Sequence, residues 1–130
     1  MRFVVVSLIA LVGITPLISE SLRQVEYDID GTAKYADVTW INRSGGTEQK
    51  RLMLPVHESL LLAVGKLAYV SAQKANVYND STRWNNGSQD PNADGVHGSV
   101  HVSIRINGRL VGEATSTAPY GTAKSSVPVE

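Results

Sequence analysis

The chain has 130 residues, with twelve Lys and Arg against twelve Asp and Glu, three His and no Cys. A formal net charge of zero leaves no basic excess to track a phosphate backbone, which sets nucleic acid aside. Without cysteine there is no disulfide, no thiolate metal site and no lipoprotein acceptor, and the length fits one domain.

Phe3–Ile18 is an apolar-rich run behind Arg2, with Ser19 and Ser21 as small residues suited to a signal-peptidase cut. As a helix it spans about 24 Å, short of a hydrocarbon core of about 30 Å. A cleaved signal peptide is therefore the first reading and a retained membrane anchor the second. A buried strand is the third. Both export readings divide the chain into residues 1–21, signal peptide or anchor, and 22–130, an extracytoplasmic domain.

The remainder reads as short strands separated by turns. Val25–Ile29 is a first strand ending at Asp30-Gly31, and Ala36, Val38 and Trp40 alternate with Asp37, Thr39 and Ile41 in a second. Ser44-Gly45-Gly46 is a turn, followed by an extended Glu48–Pro55 with Leu52 and Leu54 on one face. Ser59–Val64 is continuously apolar and reads either as a buried strand or as one helical turn. Leu67–Ala72 is apolar on both faces, as a central strand is. Asn76–Gly98 is rich in Asn, Asp, Gly and Ser, and a connection of that length is usually functional or disordered. A last strand runs around Thr122–Val127. The pattern predicts an all-β sandwich of about seven strands with Trp40 as the aromatic centre of its core.

Between these lies a hairpin. Val100, Val102, Ile104 and Ile106 alternate with His101, Ser103, Arg105 and Asn107, and Asn107-Gly108 marks the turn. A two-residue loop pairs Ile106 with Arg109 and brings charge onto the apolar face. A three-residue loop, Asn107-Gly108-Arg109, pairs Ile106 with Leu110, Ile104 with Gly112 and Val102 with Ala114. The apolar match selects the three-residue loop.

Motifs with chemical content are few. Ser71-Ala72-Gln73-Lys74 matches the S-x-x-K of penicillin-binding enzymes, but on a strand Ser and Lys three apart face opposite sides, and the partner motifs are absent. Asp90, Asn92, Asp94 and Gly95 match the first half of a calcium loop, making the three oxygen-bearing residues weak calcium candidates. The twelfth position is His101 rather than a bidentate Glu, so an ordinary Asx/Gly loop is the expected reading. His97 and His101 have a chelating spacing only on a helix, and on a strand they stand about 13 Å apart. His57 falls in a connection. Asn42, Asn79 and Asn86 head glycosylation sequons, relevant only in a eukaryotic host. Trp84 is either a cover for a core edge or an exposed binding residue. No catalytic or cofactor-binding motif is present, and a non-enzymatic protein without cofactor is expected.

One resemblance covers most of the domain. Gly31, Val38-Thr39-Trp40, Gly45-Gly46-Thr47-Glu48-Gln49, Leu54-Pro55, Tyr69-Val70-Ser71-Ala72-Gln73, the Asn107-Gly108 hairpin, Ala114-Thr115-Ser116 and Tyr120-Gly121 occur in an order similar to that of the MmpS family of small actinobacterial membrane-associated proteins. The resemblance implies an immunoglobulin-like β-sandwich outside the cytoplasm. It also implies an accessory role beside MmpL-type transporters that export lipids and siderophores. The Asn76–Gly98 connection looks longer than the family's turn. A secreted ligand-binding module that uses this connection is the alternative.

Overall fold

A computed structural model describes residues 21–76 and 95–130. These form eight strands: β1 (Leu22–Asp30), β2 (Tyr35–Ile41), β3 (Thr47–Met53), β4 (Val56–Ala63), β5 (Leu67–Ala75), β6 (Val100–Ile106), β7 (Arg109–Ser116) and β8 (Thr122–Pro128). They build two four-stranded sheets, β4-β1-β6-β7 and β3-β2-β5-β8, with every pair antiparallel. The protein is a β-sandwich, as the strand pattern predicts. The eighth strand is β4. Val56–Ala63 pairs along its whole length with β1, which decides between strand and helical turn in favour of strand.

The faces follow period-two alternation. Val25, Tyr27 and Ile29 of β1, Ala36, Val38 and Trp40 of β2, and Ala68, Val70 and Ala72 of β5 are buried and meet Val100, Val102 and Ile104 of β6. β5 lies between β2 and β8, in the central position expected of it. Trp40 sits in this core, but the largest fully buried side chain is Tyr27. The β2–β5 register ends at Trp40 opposite Val70. Beyond it the Tyr27 hydroxyl, arriving from the other sheet, donates to the Ile41 carbonyl at 3.0 Å and accepts from the Tyr69 N–H at 3.3 Å. One phenol thus satisfies two backbone groups where the ladder stops and ties the sheets together.

Two local expectations are corrected. The extended run to Pro55 is divided: β3 ends at Met53, and β4 starts at Val56 in the opposite sheet. Pro55 has no N–H to give to a ladder, so it suits the crossing. His57 is consequently a strand residue of β4, opposite Asp28, and not part of a connection.

The hairpin register also differs. Ile106 pairs with Arg109 across a two-residue turn, not with Leu110. Asn107 and Gly108 both have positive φ, 52° and 83°, the turn whose twist matches that of the flanking strands. The apolar match survives by another route. The register shifts between Ile104 and Arg105, leaving Val111 as the extra residue of a bulge. Ile104 then faces Gly112 and Val102 faces Ala114, while Val111 packs on the core and Leu110 is exposed. At Gly112 a Cβ would run into Ser125, so glycine permits the close approach of β7 and β8 that closes one side of the sandwich.

The strand directions sort the connections to two ends. The start of β1, the turns 42–46, 63–67 and 107–108, and the residues after β8 lie at one end. The β1–β2 turn and both termini of the 76–98 connection lie at the other. Eight steps of β1 separate the ends by about 26 Å.

Candidate functional site

Among the described residues, the end carrying the 76–98 connection gathers a set of buried and bridging polar groups. Lys74 continues the inward alternation of Ala68, Val70 and Ala72 and is only 1% exposed. Its ammonium donates to the carbonyls of Gly98 at 2.7 Å, Thr117 at 3.2 Å and Val96 at 3.5 Å. These carbonyls lie just before β6 and just after β7, so one side chain of the second sheet clamps the rim of the first. Three donors meet three acceptors. Burial pushes the Lys74 ammonium below the usual lysine range. Enclosed in this way, it braces structure and offers nothing to a ligand.

Beside it, the two termini of the connection are joined. The Asn76 side-chain carbonyl accepts from Gly95 N–H at 2.9 Å and from the Tyr120 hydroxyl at 3.1 Å. Tyr120 N–H donates to the Gly95 carbonyl at 2.7 Å, and the Gln73 amide donates to the Tyr120 carbonyl at 3.1 Å. A Cβ on Gly95 would enter the Tyr120 ring. Thr32 and Ser99 complete the rim: Ser99 N–H donates to the Thr32 hydroxyl at 2.9 Å and Ala33 N–H to the Ser99 carbonyl at 2.9 Å. The mouth of the connection is therefore fixed on both sides.

The outer face of the β4-β1-β6-β7 sheet carries two imidazole–carboxylate sets. His57 Nδ1 lies 2.6 Å from Asp28, with Glu26 3.8 Å from Nε2. His101 stands between Asp30 at 3.1 Å and Glu113 at 3.0 Å. The hydrogen bond with Asp28 raises the His57 pKa above its ordinary value, with Glu26 and Glu58 adding to the effect. On the other sheet Arg51 grips both oxygens of Asp37 at 2.8 Å. Ser103 stands opposite Asp28 and Glu113 on the same outer face as the histidines, but none of the described hydrogen bonds joins its hydroxyl to either imidazole.

The sequence candidates fall as follows. Trp84, Asp90, Asn92 and Asp94 lie outside the described residues, as do the sequon residues Asn79 and Asn86 and residues 1–20. Of the calcium pattern, Gly95 and His101 are described; Gly95 is held under Tyr120, and both His101 nitrogens face carboxylates. Among the described residues no group of three or more His, Cys, Asp and Glu side chains is arranged to hold a metal. Ser71 and Lys74 do face opposite sides of β5, Ser71 outward and Lys74 inward. The Asn42 side-chain carbonyl accepts from Ser44 N–H, Ser44 hydroxyl and Gly46 N–H, shaping the β2–β3 turn. His97 is exposed ahead of β6.

Sequence reasoning met Lys74 only as the end of an S-x-x-K match and missed its buried clamp, and it missed the Asn76–Gly95–Tyr120 junction. Lys74 had a signal: it keeps the inward phase of β5, where a lysine demands buried acceptors. The junction had none, because its members stand 19 and 44 positions apart.

Neither a protein-family model nor a curated protein matches the chain. The resemblance to the MmpS family rests on the residues quoted for it.

Proposed function

We propose that the chain is a non-enzymatic, extracytoplasmic accessory domain that works beside an MmpL-type exporter of lipids or siderophores; in this reading Phe3–Ile18, although shorter than a hydrocarbon core as a straight helix, is retained as a membrane anchor rather than cut as a signal peptide. The observation that supports this reading is the polarity of the sandwich. The apolar segment joins at the start of β1, and the 76–98 connection leaves and returns about 26 Å away at the opposite end. This arrangement suits an accessory protein that reaches a neighbouring transporter, with its base at the membrane and, at the far end, a connection whose two termini are joined by hydrogen bonds. Trp84, within that connection, is the binding residue this reading puts forward, with Asp90, Asn92 and Asp94 as weak calcium candidates.

The fixed mouth of the connection also favours a second reading, a secreted ligand-binding module that uses the same element. Mass spectrometry of the exported protein separates the two. An intact N-terminus in the membrane fraction supports the accessory reading. A cut near Ser21, with the protein in the medium, supports the secreted one. Photo-crosslinking from Lys34 or Ser99, both on the distal rim, then identifies the partner. A polytopic transporter among the products is the expected result, and its absence from an otherwise efficient crosslinking reaction counts against the accessory role.

A further inference from the structure

The end of the sandwich opposite the 76–98 connection is apolar and basic at once. Leu22, Val64 and Leu67 are 51%, 44% and 46% exposed. Backbone bonds gather them: Val64 N–H donates to the Ser21 carbonyl, and Gly65 N–H to the Val129 carbonyl, so the β4–β5 turn is fixed against the start of β1 and the end of β8. Around them stand Arg23, Lys66 and Arg109, with Arg43 on the neighbouring turn, against Glu130, Glu48 and, next to Ser21 in the sequence, Glu20; the Arg23 guanidinium donates to the Glu130 carbonyl at 3.1 Å. The acidic row of Glu26, Asp28 and Asp30 begins further up β1, on the outer face of the sheet.

We propose that this end rests on an anionic lipid surface, with Val64 and Leu67 of the β4–β5 turn and Leu22 entering the headgroup region. The inference rests on the membrane-held reading given above. Chain length argues for lipid as the occupant. Four residue steps from Ile18 to Leu22 extend at most about 14 Å, so a membrane-embedded Phe3–Ile18 leaves Leu22 no farther than that from the interface. Chemistry argues the same way. Separate aliphatic tips ringed by Lys and Arg suit a surface that is apolar below and anionic above. The distal rim, about 26 Å farther along the strands, then points away from the bilayer.

The test uses the full chain, whose lack of cysteine makes each introduced thiol unique. Val64→Cys, Leu67→Cys and the distal Lys34→Cys are each labelled with an environment-sensitive fluorophore. The proteins are reconstituted into phosphatidylglycerol-containing vesicles that carry a shallow nitroxide lipid. Labels at 64 and 67 should be quenched at least twofold, and the label at 34 hardly at all. Replacing phosphatidylglycerol by phosphatidylcholine should reduce the quenching at 64. Chain that floats with the vesicles but shows no quenching at 64 or 67, or equal quenching at 34, overturns the docking and leaves the anchored reading intact. Unchanged quenching in phosphatidylcholine overturns the anionic preference. Chain that fails to float overturns both.

Discussion

The two ends of the sandwich close their core by different chemistry, although both closures hang on the central strands of one sheet. Near one end, β2 contributes Trp40, an apolar ring, with the Tyr27 hydroxyl capping the last backbone groups of the ladder. At the other, β5 contributes Lys74, an ammonium enclosed by three carbonyls. An apolar plug fills space and leaves the rim free to be greasy and simple. A cationic plug organises carbonyls, and thereby fixes the loops that own them. The difference explains why the end with Lys74 can seat a long polar connection, whereas the end with Trp40 is closed by short turns.

Removing either plug tests that comparison, and the ring should matter more. Trp40→Ala should cost about 3–5 kcal/mol, because it opens a large cavity under both sheets. Denaturant melts check this, and a midpoint close to the parent's would remove Trp40 from the core. Lys74→Met keeps the apolar stem but leaves the Gly98 and Thr117 carbonyls without their donor. A cost of about 2–4 kcal/mol is expected from unpaired buried acceptors. The two variants should also differ in place. Hydrogen exchange in Lys74→Met should rise first around residues 95–99 and 117–121, whereas Trp40→Ala should loosen both sheets together.

Much of this contrast was legible in the sequence, but unevenly. Alternation along β1, β2, β5 and β6 points to the buried faces, because a strand in a sandwich must put every second side chain inside. Trp40 in the core followed from that rule. The hairpin shows where the rule stops. Apolar matching demanded that Val102 and Ile104 face Ala114 and Gly112, and they do, yet the turn obeys backbone twist and takes two residues. The conflict is absorbed by a bulge at Val111, a solution that side-chain matching does not contain. Candidate function was less legible for a different reason. The Asn76–Gly95–Tyr120 junction and the Asp28–His57 pair are made by residues distant in sequence, and no local motif encodes them.

A smaller effect concerns the outer face near the distal end. His57 is paired with Asp28, which raises its pKa above the model-peptide value of 6.5. A folded-state pKa above the unfolded one means that the protonated ring favours the folded state. The pair's contribution is therefore fully present below about pH 6.5 and is lost as pH rises through the higher folded-state value. With the His57 side chain 54% exposed, water screens the pair, and less than about 1 kcal/mol is expected. Proton NMR should give His57 a midpoint above 6.5, and Asp28→Asn should bring it down. A midpoint unmoved by that substitution would remove the pair as the cause.

The smallest change in stability is expected from the largest change in sequence. Deleting Asp80–Asp94 and joining Asn79 to Gly95 through a short turn should leave the melting temperature nearly unchanged. The reason lies in the described rim. Asn76 and Gly95 are already in hydrogen-bond contact at 2.9 Å, so the ends that must be joined are neighbours in space. The described partners of Lys74, Tyr120, Thr32 and Ser99 all lie in residues that the deletion does not touch. Shortening the loop even adds slightly to stability through lower closure entropy, by about 0.6 kcal/mol for each halving of its length. Binding should respond in the opposite sense. If the connection engages a transporter or a ligand, crosslinking from Ser99 should disappear in the shortened protein while the fold persists. A shortened protein that fails to fold would place Trp84 in the core, make the connection a structural plug, and reduce the difference between the two ends to one of packing.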